Sequence, residues 1–342
     1  MYPAPFASAQ RRATAALRGF TPAHFAGNTM GTSYQVRLAL PGHDAPLVAA
    51  AHARVGAALD DVDSRMSTYK PDSELSQLNR RTDDQPLVVS PDTMAVFEAA
   101  RDVSRITAGA FDVTVGGCVN AWGFGPTGSR RPVESHRLAS LRDVVGYEGL
   151  VLDPRERSIT KRHAHTFADL SAIAKGHGVD QAARALESLG VQDYMIEVGG
   201  EVRARGLRHD GHPWRIGIEQ PRREAPRQAR YAVPLRDLSM ATSGDYRNCF
   251  EHAGRRYSHE IDPRTGSPVS QRLNSVTVVA RECAAADALS TALIVLGPDE
   301  GPACALRLGL AAYFVMAAPD GGFVDRTTPA FDALGGCRLR VA

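Results

Sequence analysis

The segment DLSAIAKGHGVDQAARAL, Asp169–Leu186, sets a lysine at what reads as the mouth of an alanine-rich helix. Lysine is rare in this chain: it stands at Lys70, Lys161 and Lys175, and the other 37 of the 40 basic residues are arginine. Helix N-termini carry unpaired N–H groups and the positive end of the helix dipole, which suit phosphate, and a lysine adds a mobile point charge. The plainer alternative is a solvated lysine in a first helical turn. In AADALSTAL (Ala285–Leu293), Asp287 and Thr291 are four apart and share one face of a helix. A carboxylate and a hydroxyl offered together from an apolar helix suit a hard, oxygen-ligated cation such as Mg²⁺, with Ser290 beside them. The alternative there is an Asp that stabilises the helix start and a Thr that bonds back to a carbonyl.

Two further stretches are polar or glycine-rich. Ala241–Val269 gathers Thr242, Ser243, Asp245, Tyr246, Arg247, His259, Asp262 and Arg264 around a DPRTG turn, without apolar periodicity. That suits a loop lining a polar ligand, and His259 could serve there as a general base near neutral pH. Thr107–Pro126 carries Gly109, the Phe111-Asp112 pair and Trp122. Glycines allow close backbone approach and the aromatic rings could stack on a planar group; a structural loop around a core tryptophan is the competing reading. No GxGxxG follows a strand, and neither GxxxxGK[ST] nor GxSxG occurs, so dinucleotide-fold, P-loop and α/β-hydrolase readings lose their main support.

The elements that must position these residues are legible in outline. Met30–Leu40 alternates as a strand, and residues 47–66 form an amphipathic helix with Val48, Ala51, Val55, Leu59, Val62 and Met66 at helical spacing. STYKPDSELSQLN reads as a turn into a short helix, and Ser90 followed by Pro91 signals the cap of another. Short strand signals recur at 149–153, 157–161 and 165–169, followed by a helix beginning near Lys175. A hairpin is expected around Gly199-Gly200, then strands in WRIGIEQ, YAVPLRD and NSVTVVA, an apolar helix from Cys283 to Leu296, and a late strand in LAAYFVMA. Strands and helices alternate irregularly, which favours α+β over a doubly wound parallel sheet. Residues 1–27 are expected to be a flexible leader and 28–342 one large unit.

Composition narrows the class. Hydrophobic residues make up 43% and charged residues 23%, with a net charge of +2, the profile of a globular chain with a real core and no pull toward nucleic acid. No apolar run reaches the roughly 18 residues of a membrane span. The five cysteines are odd in number and widely spaced, which supports neither a zinc site nor a disulfide framework. The N-terminal stretch has an arginine pair but no apolar core, so as written it is not a secretory signal. It reads as cytoplasmic, or as periplasmic or inner-membrane-associated if an export signal precedes it.

Taken in order, MGTSYQV, MSTYKPDSELSQLN, GAFDVTVGGCVNAWGFG, DLSAIAKGHGVD, VGGEVRARG, ATSGDYRN, YSHEIDPRTGSPV and ADALSTALIVLG resemble the ApbE family of FAD:protein FMN transferases. The resemblance implies a single α+β unit with a T-fold-like core. It also implies Mg²⁺-dependent transfer of FMN from FAD to a Thr or Ser hydroxyl of an acceptor flavoprotein, such as a redox-pump or reductase subunit, with a phosphoester formed and AMP released. By position, Met30, Tyr69, Ala110, Phe111, Asp112, Asp169 and Lys175 look like FAD contacts, and so does Ile261 beside the histidine. The Mg²⁺ set would be the Ala172 carbonyl, Asp287 and Thr291, with Ser290 adjacent, and His259 matches the family's candidate base. His177-Gly178 departs from the Tyr-Ala pair common after Lys-Gly, and Gly117-Cys118 from a Pro-Leu type pair. An FAD pyrophosphatase and a non-catalytic FAD-binding protein are the competing readings.

Overall fold

The computed structural model describes residues 20–222, 228–246, 248–269 and 272–339. The chain opens with the hairpin β1 (Thr21–Thr29) and β2 (Thr32–Leu40), turned by Met30 and Gly31, both at positive φ. Strand β1 takes up only the end of the stretch expected to be a leader, residues 21–27, where it pairs one for one with β2; residues 1–19 of that expected leader lie outside the described residues. Helix α1 (Ala45–Met66) follows, capped by the Asp44 carboxylate, which accepts the Leu47 N–H at 2.9 Å. Ala51, Val55, Leu59, Val62 and Met66 are its buried stripe, as the spacing predicts.

Helix α2 (Glu74–Arg80) is capped by Ser73, and β3 (Leu87–Val88) leads to α3 (Pro91–Ile106), capped by Ser90. The glycine-rich connection contains α4 (Gly116–Ala121), and α5 (Ser135–Arg142) comes after it. Strands β4 (Leu150–Asp153) and β5 (Ser158–Lys161) pair, and β5 also pairs with β3 in a small three-stranded sheet. The third strand expected at 165–169 does not form. Asn79 of α2 holds both the N–H and the carbonyl of Ala168, at 2.7 and 2.8 Å, and the Asp169 N–H goes to the Val113 carbonyl, so a helix side chain and a loop take the partners a strand neighbour would supply.

Helix α6 (Ser171–Ser188) begins four residues earlier than expected, so Lys175 lies in its second turn. Strands β6 (Tyr194–Val198) and β7 (Glu201–Arg205) form the anticipated hairpin through Gly199 and Gly200, both at positive φ. After β8 (Trp214–Glu219) and β9 (Ala229–Leu235) come β10 (Leu238–Gly244), the hairpin β11 (Cys249–His252) and β12 (Arg255–Ser258), and the tight pair β13 (Ile261–Asp262) and β14 (Ser267–Pro268). Strand β15 (Leu273–Ala280) leads into α7 (Cys283–Arg307), whose first segment is the expected apolar helix. Gly297, at φ 82°, breaks it, and the chain then resumes helical turns through Pro298 and Pro302. Strands β16 (Ala311–Ala317) and β17 (Phe323–Thr327), a short α8 (Pro329–Asp332) and β18 (Cys337–Arg338) complete the order.

The eight-stranded sheet runs β1-β2-β6-β7-β10-β15-β16-β17, and every neighbouring pair is antiparallel. Helices α1, α6 and α7 pack on one face, and the sheet β18-β9-β8 lies against part of the other through Trp214, Leu235 and Tyr313. The architecture is α+β, as the irregular order of signals predicts. No helix among the described residues is long and apolar enough to cross a membrane.

Candidate active site

A cavity of about 830 Å³ opens where the starts of α6 and α7 meet the β7 and β10 strands. Of the residues singled out from the sequence, Tyr69, Ala110, Phe111, Asp112, Asp169 and Ala172 line it. So do Lys175, His259, Ile261, Asp287 and Thr291. Segments from five parts of the chain thus converge on one space. Two residues are placed elsewhere. Met30 lines no part of the cavity: its turn directs its terminal methyl to Gly178 on α6, in the space a Cβ would take there. Ser290 is fully buried behind the cavity wall, donating to the Asp287 carbonyl at 2.9 Å and meeting Ser243 at 2.9 Å. Arg247 lies outside the described residues.

The electrostatic centre is Lys175. Its ammonium is 2.5 Å from Glu201 Oε1 and 3.7 Å from Asp287 Oδ1. Burial pulls the ammonium's pKa down, but the two carboxylates outweigh it and hold the group above its ordinary value. Burial pushes Glu201 up to about 7, against the opposing pull of Lys175, and raises Asp287 as well. One cation therefore serves two buried acids, and Glu201 Oε2 has no hydrogen-bond partner. The site carries an excess of negative oxygen that a bound cation would relieve.

The helix starts arrange the oxygens. Asp287 Oδ2 accepts the Gly176 N–H at 2.9 Å. A regular helix directs that N–H to the Ala172 carbonyl, so the carboxylate competes with the carbonyl for it. Thr291 Oγ1 lies 3.0 Å from Ser243 Oγ, which fixes its hydroxyl on the cavity side of α7. Among the described residues, no group of three or more His, Cys, Asp or Glu is gathered as a metal site. The fitting set is instead mixed oxygen: the Asp287 carboxylate, the Thr291 hydroxyl and the Ala172 carbonyl, hard donors suited to a small divalent ion.

Asp112 and Asp169 shape loops as well as the cavity. Asp112 Oδ1 accepts from the Thr114 N–H and hydroxyl at 2.8 and 2.6 Å, and Oδ2 from the Tyr147 N–H at 2.7 Å, while burial raises its pKa. Asp169 Oδ1 accepts the Ser171 N–H at 2.8 Å and so opens α6. His259 is held by its backbone N–H to the Asn248 carbonyl at 3.0 Å, with the ring edge-on to Phe124. Its Nε2 is 3.6 Å from Glu260 Oε1, and its buried Nδ1 has no hydrogen-bond partner.

Sequence reasoning missed Glu201 and Glu260, both buried and both on the cavity. The signal for Glu201 lay in the alternation Glu201, Arg203, Arg205, which sets three charges on one side of β7. Burial raises Glu260, and nothing in its sequence surroundings marks it.

The antiparallel α+β frame matches those of solved flavin transferases. The flavin transferase ApbE of Vibrio cholerae matches with a TM-score of 0.83 and 38% identity, over 92% of this chain and 99% of that one. The apo flavinyl transferase ApbE of Pseudomonas stutzeri matches with a TM-score of 0.82 and 38% identity, over 92% and 97%. An FAD:protein FMN transferase of Haemophilus influenzae is 43% identical over 314 residues, 90% of each chain. The ApbE family model covers residues 30–314, and the chain belongs to the ApbE family.

Proposed function

We propose that the chain is a Mg²⁺-dependent FAD:protein FMN transferase. The acceptor is a flavoprotein, a redox-pump or reductase subunit, presenting a Thr or Ser hydroxyl. That oxygen attacks the phosphorus of the FMN half of FAD, the bond to the AMP oxygen breaks, and AMP leaves. The product is a phosphoester-linked flavin. The observation that carries the reading is the convergence of Lys175, Asp287, Thr291 and His259 on one cavity.

Lys175 meets the pyrophosphate and offsets the charge that builds on the departing AMP. Asp287, Thr291 and the Ala172 carbonyl would hold Mg²⁺, which when bound supplies further charge neutralisation there. His259, whose side chain lines the cavity, takes the proton from the attacking hydroxyl. Tyr69 and the Ala110-Phe111-Asp112 loop wall the flavin, and Asp169 and Ile261 border the same space.

The test is incubation with FAD and MgCl₂, with and without the purified apo form of a redox-pump flavin subunit. Mass spectrometry should find that subunit heavier by one FMN and the supernatant should contain AMP. Free FMN released as fast without the subunit would replace the reading with an FAD pyrophosphatase. FAD that stays bound and intact under both conditions would replace it with a storage protein.

A further inference from the structure

Helix α7 starts without a cap of its own. Glu282, at its N-cap, makes no side-chain capping bond, and its first turn holds no acidic residue. The first N–H groups reach across to α6 instead. Asp180 Oδ1 accepts the Cys283 N–H and Oδ2 the Ala284 N–H, each at 3.0 Å, and Arg203 Nη1 also donates to Oδ1 at 2.7 Å. The Asp180 side chain is 4% exposed. A carboxylate from another helix thus satisfies two of the donors that every helix start leaves open.

The link is returned one turn away. Asp287 of α7 accepts the Gly176 N–H of α6, and between the two links the helices touch backbone to backbone. A Cβ on Gly176 would stand 2.4 Å from the Cys283 carbonyl oxygen. Carboxylate-to-amide bonds running in opposite directions, one from each helix, fix both the slide and the rotation of α7. A slip of one residue would turn its face by roughly 100°, carrying Asp287 and Thr291 away from Ala172.

We propose that Asp180 is a positioning residue that sets the rotation of α7 and so presents Asp287 and Thr291 as a cation-binding pair. Asp180 does not line the cavity and acts through α7. The inference rests on the cation site of the transferase reading.

Mn²⁺ as a stand-in for Mg²⁺ gives a readout independent of turnover: free Mn²⁺ is counted by electron paramagnetic resonance in the presence of FAD. Asp180→Asn keeps the shape but can no longer accept both amides, and should weaken Mn²⁺ binding about tenfold or more with far-UV circular dichroism unchanged. Arg203→Met removes the ion pair and leaves both amide bonds, so Mn²⁺ affinity should stay within about twofold. If Asp180→Asn does not fold, Cys283→Pro deletes one amide donor at the first helical position, where proline is accepted, and should weaken binding in the same direction. Asp180→Asn or folded Cys283→Pro binding Mn²⁺ as tightly as the parent, at a lower Tm, would reduce Asp180 to a stability role and overturn the inference alone. A parent chain that binds no Mn²⁺ would overturn the inference together with the cation site.

Discussion

At the scale of single residues, the site is a problem of charge allocation. Lys175 stands between Glu201 and Asp287, and removing either acid changes what the ammonium can reach. Asp287→Ala should lower Mg²⁺-dependent FMN transfer by about 100-fold or more, measured as AMP released at saturating FAD. Full activity in that variant would remove Asp287 from the cation set. His259→Asn should lower the neutral-pH rate by roughly 10²-fold while FAD binding, followed by flavin fluorescence, is kept; an unchanged rate would end the general-base role. Lys175 was legible because the composition is so poor in lysine, yet rarity alone is no guide. Lys161 is as rare and does something else: its buried ammonium donates to the carbonyls of Asn79, Ala164 and Thr166 at 3.2, 2.9 and 3.2 Å, tying a loop to α2. Glu201 was not legible as part of the site, nor Asp180 as its support. Their meaning lies in partners 26 and 103 residues away, and the charge alternation along β7 that marks Glu201 does not name its partner.

At the scale of elements, α6 carries two glycines two positions apart whose surroundings differ completely. At Gly176 a Cβ would strike the Cys283 backbone, whereas at Gly178 it would meet the flexible end of Met30 at 2.9 Å and Leu59 at 3.3 Å. Gly176→Ala should destabilise the chain by about 3 kcal/mol and abolish the helix contact. Gly178→Ala should change stability by less than about 1 kcal/mol, the helix gain offsetting a small shift of Met30. Thermal unfolding of the two variants side by side checks the contrast, and equal effects would refute it. Helix α1, from its stripe, and α3, from its cap, were readable from sequence because each signal is local. The start of α6 was misplaced by four residues because its N-terminal turn is set by Asp169 and Leu170, not by the lysine. The absent strand at 165–169 had the right composition, and the side chain of Asn79 took its backbone partners.

At the scale of the whole molecule, the α+β class was readable from the irregular order of elements, but the strand order was not, since β10 joins β7 to β15 across long stretches of chain. The stability of this assembly should depend on pH through His177. Burial lowers its imidazole pKa below the ordinary 6.5, Asp92 and Asp180 oppose that pull, and Arg184 adds to it. As pH falls past that value the unfolded chain binds the proton first, so the native state loses stability in acid and keeps it above neutrality. His177→Gln should therefore shrink the fall in Tm between about pH 7.5 and about pH 5.5. An identical fall in the variant would show that His177 does not carry the effect.

The bond between Asp180 and the start of α7 also has a history in time. The Cys283 and Ala284 N–H groups have no acceptor within their own helix, and their acceptor lies 103 and 104 residues upstream. Neither amide can be shielded from solvent until the two halves of the chain have closed on each other. Contacts of such long loop length form late. During refolding, the hydrogen exchange of these two amides should slow after that of the local hairpin of β6 and β7. The helix start that presents Asp287 and Thr291 is thus complete only once distant parts of the chain have met.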